Sequence, residues 1–226
     1  MEINADFEAR AIVHAGRMAW VNSPMPGVRR RMLDRLGDEV ARATSIVEYA
    51  PGSAFSAHTH TGGEEFYVLS GVFSDEHGDY PAGSYVRNPP QSAHIPSSAP
   101  GCEILVKLWQ FDPLDRQHVN IDTAKHAFTD DANRAGVSEL PLYADLNETV
   151  RLEQYEPGSV VPLGDSNGLE LLVLEGGFSL GQEAFEVHSW MRLPKGDGVE
   201  IEVGASGAKV WIKSGHLSQT PVAPSV

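Results

Sequence analysis

Residues 58–71 read HTHTGGEEFYVLSG: two histidines one residue apart, a double glycine, two carboxylates, then a largely apolar run closed by another glycine. Side chains at i and i+2 of an extended strand share a face. His58 and His60 can therefore converge on one point while Thr59 faces away. Gly62 and Gly63 interrupt the strand, and EEFYVLSG, rich in β-branched and aromatic residues, resumes as a second one. A turn that lays the second strand back along the first brings Glu64 or Glu65 to the histidines. Two imidazoles and a carboxylate are donors that suit zinc, iron, manganese or nickel. A polar strand end carrying histidine beside a glycine turn has the same sequence, and this segment alone does not separate the two.

The flanking sequence keeps the strand pattern. ATSIVEYAPG (43–52), the stretch from Glu64 to Pro90 and CEILVKLWQF (102–111) are short apolar runs bounded by Gly, Pro, Asn and Asp. Such spacing predicts an all-β sandwich or barrel, and long amphipathic helical patterns are missing. With 226 residues the chain is long enough for a sizeable core. Its net charge of -14 repels a phosphate backbone, so no nucleic-acid partner is expected. The one basic run, VRRRMLDRLG (28–37), reads as a solvated face with a helical or irregular pattern. No apolar run approaches a membrane span, and the acidic start MEINADFEAR is unlike a signal peptide, so a cytoplasmic protein is expected. Cys102 is the only cysteine. That excludes internal disulfides and cysteine zinc knuckles, and its place before an apolar strand predicts a buried, inert thiol.

The chain also repeats itself. TSIVEYAPGSAFSAHTHTGGEEFYVLSGVFSDE (44–76) is echoed by VRLEQYEPGSVVPLGDSNGLELLVLEGGFSLG (150–181), and SYVRNPPQSAHI (84–95) by SWMRLPKGDGVEI (189–201). Arg87 and Pro89 face Arg192 and Pro194 in this comparison. The pattern predicts a duplicated β unit joined near residues 122–142, divided into domains 1–120 and 121–226. With one deletion in the alignment, His58 falls opposite Gly164, His60 opposite Ser166, His94 opposite Val199, and Glu64 opposite Leu169 or Glu170. The histidines belong to the first copy alone, which favours a functional site there over a packing requirement of the repeat.

The first copy resembles a cupin. Gly52, His58, His60, Glu64 and Gly71 follow the spacing of the first cupin motif. Gly83, Pro89 and His94 carry the second, with Gln91 in place of the usual glycine and Ser98 in place of the usual asparagine. In finer detail residues 10–112 are similar to the ChrR-like cupin family, which includes the cupin module of an anti-sigma factor and small cupin dioxygenases. The resemblance, extended through the repeat, implies an all-β bicupin, two jelly-roll (double-stranded β-helix) barrels in one chain, and the repeat comparison leads us to expect that only the first binds metal. It implies His58, His60, Glu64 and His94 as ligands of one divalent transition metal, zinc first and iron, manganese or nickel as alternatives. Glu65 is the rival to Glu64, because a slip of one residue exchanges the faces of a strand.

Three imidazoles and one carboxylate leave open positions on metals that accept five or six ligands. Water, dioxygen, a peroxide or another small oxygen-containing molecule would then be the partner, with the ion as a Lewis acid. Phe66, Tyr67, Tyr85 and Trp109 are candidates for an apolar wall or for ordinary core. The family resemblance implies a sensor or accessory protein of an oxidative-stress response. Its alternatives are a metal-dependent dioxygenase cleaving a small diketone or hydroxyketone, and a scaffold with one structural metal. Sigma-factor binding is not expected, since the chain has no Cys-x-x-Cys, and the second lobe could help form a homodimer. His77 is expected in a hairpin and His118, His126 and His216 outside strands.

Overall fold

The computed structural model describes residues 1–38 and 40–224. Among them there is no α-helix. Strands make up two antiparallel sheets and a small two-stranded one, and two 3₁₀ turns complete the regular structure. The all-β architecture in two β units is the one the sequence predicts. Among the described residues no helix is long and apolar enough to cross a membrane.

The first unit comprises Met1–Ala5 and Ala19–Lys125, with the tail from Val222. Its main sheet runs, in order, through Glu2–Ile3, Val28–Gly37, Ala41–Tyr49, Cys102–Leu108, Glu64–Asp75, Ser84–Asn88 and Val119–Asp122. Alternation along the Glu64–Asp75 strand sorts its side chains. Phe66 and Val68 join Val86, Ile104, Val106, Phe73 and Tyr80 in the barrel core. Glu65, one residue out of phase, lies on the opposite face. There it accepts a 2.6 Å hydrogen bond from the Tyr85 hydroxyl and faces the Arg87 guanidinium at 3.6 Å. Gly71 ends the core-facing run at φ +72, and a Cβ there would lie 2.0 Å from the Gly101 carbonyl oxygen, so only glycine fits.

The arginine run is a ten-residue strand, Val28–Gly37, and not the helical or irregular segment expected from its composition. Val28 and Leu33 point inward, while Arg29 pairs with Glu48 on the neighbouring strand at 2.7–2.8 Å. Cross-strand pairing of this kind accommodates a charge run on a sheet as readily as on a helix. Cys102 is buried as expected, and burial raises its thiol.

The second unit comprises Asp6–Met18 and His126–Pro221. Its sheet runs through Thr129–Asp130, Val137–Ala144, Thr149–Tyr155, Gly198–Ser214, Leu169–Leu180, Ser189–Leu193 and Ala11–His14. The last strand differs from a division at residue 120: Ala11–His14 pairs with Ser189–Leu193, with Ile12 opposite Met191. Pairing partners far apart in sequence leave no local signal, so a boundary drawn from the repeat alone cannot see this exchange. The core of the unit is built on Leu171, Val173, Phe178, Met191, Ile201, Val210 and Ile212.

Candidate metal centre

His58–His60 forms a short strand that pairs antiparallel with Ser92–His94, setting His58 opposite His94 and His60 opposite Ser92. The two sequence motifs thus meet across one ladder. His58, His60 and His94 gather with a ligand atom of each within 4.8 Å of the others. Their ring centroids are 4.7–5.0 Å apart, and the rings stand edge to face. Nε2 of His60 lies 2.9 Å from Nε2 of His94. Glu64 starts the next strand, and its Oε2 sits 3.4 Å from Nε2 of His60 and 3.6 Å from Nε2 of His94. The four residues predicted as ligands therefore share one place, with His94 and Glu64 buried and His58 at the surface. Glu65 is held on the other face by Tyr85 and Arg87, away from the three histidines.

The surroundings leave the converging nitrogens available. His58 presents Nδ1 to the Ser56 carbonyl oxygen at 3.2 Å, and His94 presents Nδ1 to Asp75 Oδ2 at 3.3 Å. A ring that donates its Nδ1 proton to an acceptor carries its lone pair on Nε2, the tautomer of a metal ligand. Burial, helped by the neighbouring His58, takes His60 down to about 4, and burial also lowers His94. Both rings are therefore neutral near pH 7, as coordination requires. Burial raises the Glu64 carboxyl, which the histidines and a 3.2 Å hydrogen bond from Asn88 Nδ2 partly oppose. Asp75, Asn88 and the Ser56 carbonyl were not legible as site components. They come from separate strands and loops, and no spacing rule links them to the histidines.

Phe73 packs against the His94 ring at 5.9 Å and also contacts Tyr49, which meets Phe55 in turn. Of the aromatic candidates, Phe66 lies in the barrel core, and Tyr67 and Tyr85 pair opposite each other on the Glu65 face. Trp109 lies directly on Gly62, where a Cβ would be 2.1 Å from its ring. A cavity of about 530 Å³ flanks His94, with Tyr80 and Val86 among its buried lining and His77 and His118 at its exposed edge. His77 occupies a hairpin turn, and His118, His126 and His216 lie outside strands, as expected.

The second unit fixes the repeat register. Gly63 N–H donates to the His60 carbonyl and Gly168 N–H to the Asp165 carbonyl, both at 3.1 Å, and the carbonyls of the same two residues accept from Gln91 and Gly196. His60 therefore corresponds to Asp165. His58 opposite His94 matches Leu163 opposite Val199. Gly164 and Ser166, the counterparts expected from sequence, are each one residue late. The deletion falls before this strand and not after it. Glu64 pairs with Asn88 and Leu169 with Leu193, whereas Glu65 pairs with Arg87 and Glu170 with Arg192. Glu170 is thus the counterpart of Glu65. It accepts from Trp190 Nε1 at 2.8 Å, as Glu65 does from Tyr85. Leu163, Leu169 and Val199 belong to or pack against the apolar cluster, so hydrocarbon fills the places of His58, Glu64 and His94, while Asp165 stands at that of His60.

Residues 8–112 match the family described as the ChrR cupin-like domain. No curated protein matches the chain in sequence. Among solved structures, a putative dioxygenase from Nostoc punctiforme PCC 73102 is similar at 16% identity, with a TM-score of 0.75 over 97% of this chain and 87% of that one. A putative glyoxylate-induced protein from Pseudomonas aeruginosa is 18% identical, with a TM-score of 0.69 over 92% and 89%. A bacterial pirin from Escherichia coli, solved in complex with nickel(II), is 11% identical, with a TM-score of 0.62 over 91% and 98%. These likenesses cover both units and concern the fold. The sequence match, the two motifs and the histidine cluster coincide on one segment, residues 8–112, which is similar to the ChrR cupin-like domain.

Proposed function

We propose that the first unit holds one divalent transition metal ion through His58, His60, His94 and Glu64 and works as a dioxygenase on a small oxygen-bearing molecule such as a diketone or hydroxyketone. The observation that carries the reading is the convergence of three imidazoles and one carboxyl group, with Nδ1 of His58 and of His94 turned to an acceptor. When bound, such an ion supplies Lewis acidity and, for iron, an electron source for dioxygen, and it retains positions for ligands other than protein.

The protein's own groups do the rest. His60 and His94 stay unprotonated through burial, so a proton does not compete for the donor atoms near neutral pH. Phe73 walls the His94 side against water. The cavity beside His94 offers a space for a small molecule. A sensor or accessory role in an oxidative-stress response is the second reading, favoured by the match to the ChrR cupin-like domain.

Elemental analysis of protein purified without added metal tests both. Iron at about one ion per chain, with oxygen consumption on adding acetylacetone, supports the dioxygenase. Tightly held zinc without turnover moves the reading to the sensor. Retention of a full complement of metal by the His60→Ala/His94→Ala double variant would refute the ligand assignment.

A further inference from the structure

The hairpin that follows the Glu64–Asp75 strand ends against His94. Asp75 Oδ2 faces His94 Nδ1 at 3.3 Å, while Oδ1 accepts from the Tyr80 hydroxyl at 3.2 Å and from the His77 N–H at 2.8 Å. Asp75 and His94 side chains are both about 4% exposed. The second unit contains the same hairpin in the same register: Asp75 pairs with Gly78 as Leu180 pairs with Glu183, and Phe73 with Tyr80 as Phe178 with Phe185. Asp75, Tyr80 and His94 therefore correspond to Leu180, Phe185 and Val199, and all three of those pack in or against the apolar cluster.

This exchange is informative because the hairpin closes equally well without the polar groups. A buried carboxylate is costly unless it is paired. Here the carboxylate, the hydroxyl that steadies it and the imidazole occur together in one unit and are replaced together by hydrocarbon in the other. We propose that Asp75, held by Tyr80, is a positioning residue for His94. It fixes the ring plane and keeps the proton on Nδ1, so that Nε2 faces His60 and Glu64 as a donor. The inference rests on the reading of the histidine cluster as a metal centre.

The test uses the second unit's own residue, Asp75→Leu, beside the conservative Asp75→Asn. Nickel(II) affinity is measured by chelator competition, the cobalt(II) visible spectrum reports ligand geometry, and a thermal melt of the metal-free protein reports the fold. Asp75→Leu should bind nickel roughly 10–100-fold more weakly, the range for loss of such an orienting partner, with a shifted cobalt spectrum. Asp75→Asn should fall between it and the wild type, because an amide oxygen still accepts from Nδ1 without the charge. The metal-free melt of Asp75→Leu should stay cooperative but fall, since Tyr80, His94 and the His77 N–H lose their acceptor, and that of Asp75→Asn should fall less. Affinities of both variants equal to wild type, with unchanged cobalt spectra, would overturn the inference alone. Wild-type protein that takes up neither ion would overturn the metal centre and the inference together. Should Asp75→Leu not fold, Asp75→Asn decides, and a wild-type affinity and spectrum there refute the role.

Discussion

The strongest quantitative consequence of the site concerns acid. Burial, with the His58 charge beside it, lowers His60 from 6.5 to about 4. Across that window the folded chain keeps the ring neutral while the unfolded chain protonates it. The unfolded state binds more protons, so stability falls as the pH drops from about 6.5 to about 4. At roughly 1.4 kcal/mol per pH unit the interval is worth about 3 kcal/mol. His94 is lowered by burial and acts in the same direction. Glu64 is raised by burial and acts oppositely, contributing stability that is lost as the pH rises through its own titration. Urea unfolding of the metal-free protein at several pH values between 4 and 7, for wild type and His60→Gln, isolates the first contribution. The variant should lose much of the decline below pH 6.5, by up to about 3 kcal/mol at pH 4. Parallel curves for the two proteins would refute the claim that His60 is held neutral by the fold.

Other outcomes follow from single positions. Gly71→Ala should cost about 3 kcal/mol or more, from a left-handed φ and a Cβ 2.0 Å from the Gly101 carbonyl; a wild-type thermal melt would contradict it. Gln91 sits at φ +73, where its counterpart Gly196 has the same angle. Gln91→Gly should therefore stabilise by up to about 1 kcal/mol, less the hydrogen bond from Gln91 Nε2 to the Thr61 carbonyl, and a lowered melting temperature would count against it. The two adjacent glutamates should separate cleanly. Glu64→Gln should weaken nickel binding with the fold retained. Glu65→Gln should cost up to about 3 kcal/mol of stability by removing the buried charge that faces Arg87, which keeps Asp115 at 3.2 Å, and both effects are read by titration and urea melts.

The sequence made the fold legible where physics is local. Strand-length apolar runs between turn residues and a duplicated PGS motif sufficed for an all-β chain of two similar units. The spacing of His58, His60 and Glu64 pointed to one ladder end because period-two geometry is rigid. His94 was reached through resemblance, and the pairing of Ser92–His94 with His58–His60 explains it physically. What the sequence hid was non-local or a matter of one residue. Side-chain similarity could not place the deletion ahead of Leu163, because the turn hydrogen bonds that define the register are made by backbone atoms. Asp75 reads as an ordinary hairpin residue, and only the folded chain shows its second oxygen against His94. The exchange of Ala11–His14 into the second sheet has no signature in a four-residue segment.

The two units pose the same packing problem and solve it in opposite ways. In the second, Leu163 and Leu169 are buried with Val199 against them, and each buried leucine contributes about 1.5–3 kcal/mol. In the first, the same positions hold His58, Glu64 and His94, with His60 beside them. Keeping His60 and His94 neutral and Glu64 in a dry setting costs stability at low and high pH respectively. The hydrocarbon solution was compatible with this backbone, since the second unit adopts it with matching strand registers. The polar solution is therefore not demanded by folding. A ligand that binds only the folded state contributes about 4 kcal/mol at a thousandfold excess over its Kd, enough to offset such a cost. The cluster makes energetic sense as a site completed by an ion, and its metal-free form is the less stable solution of the two.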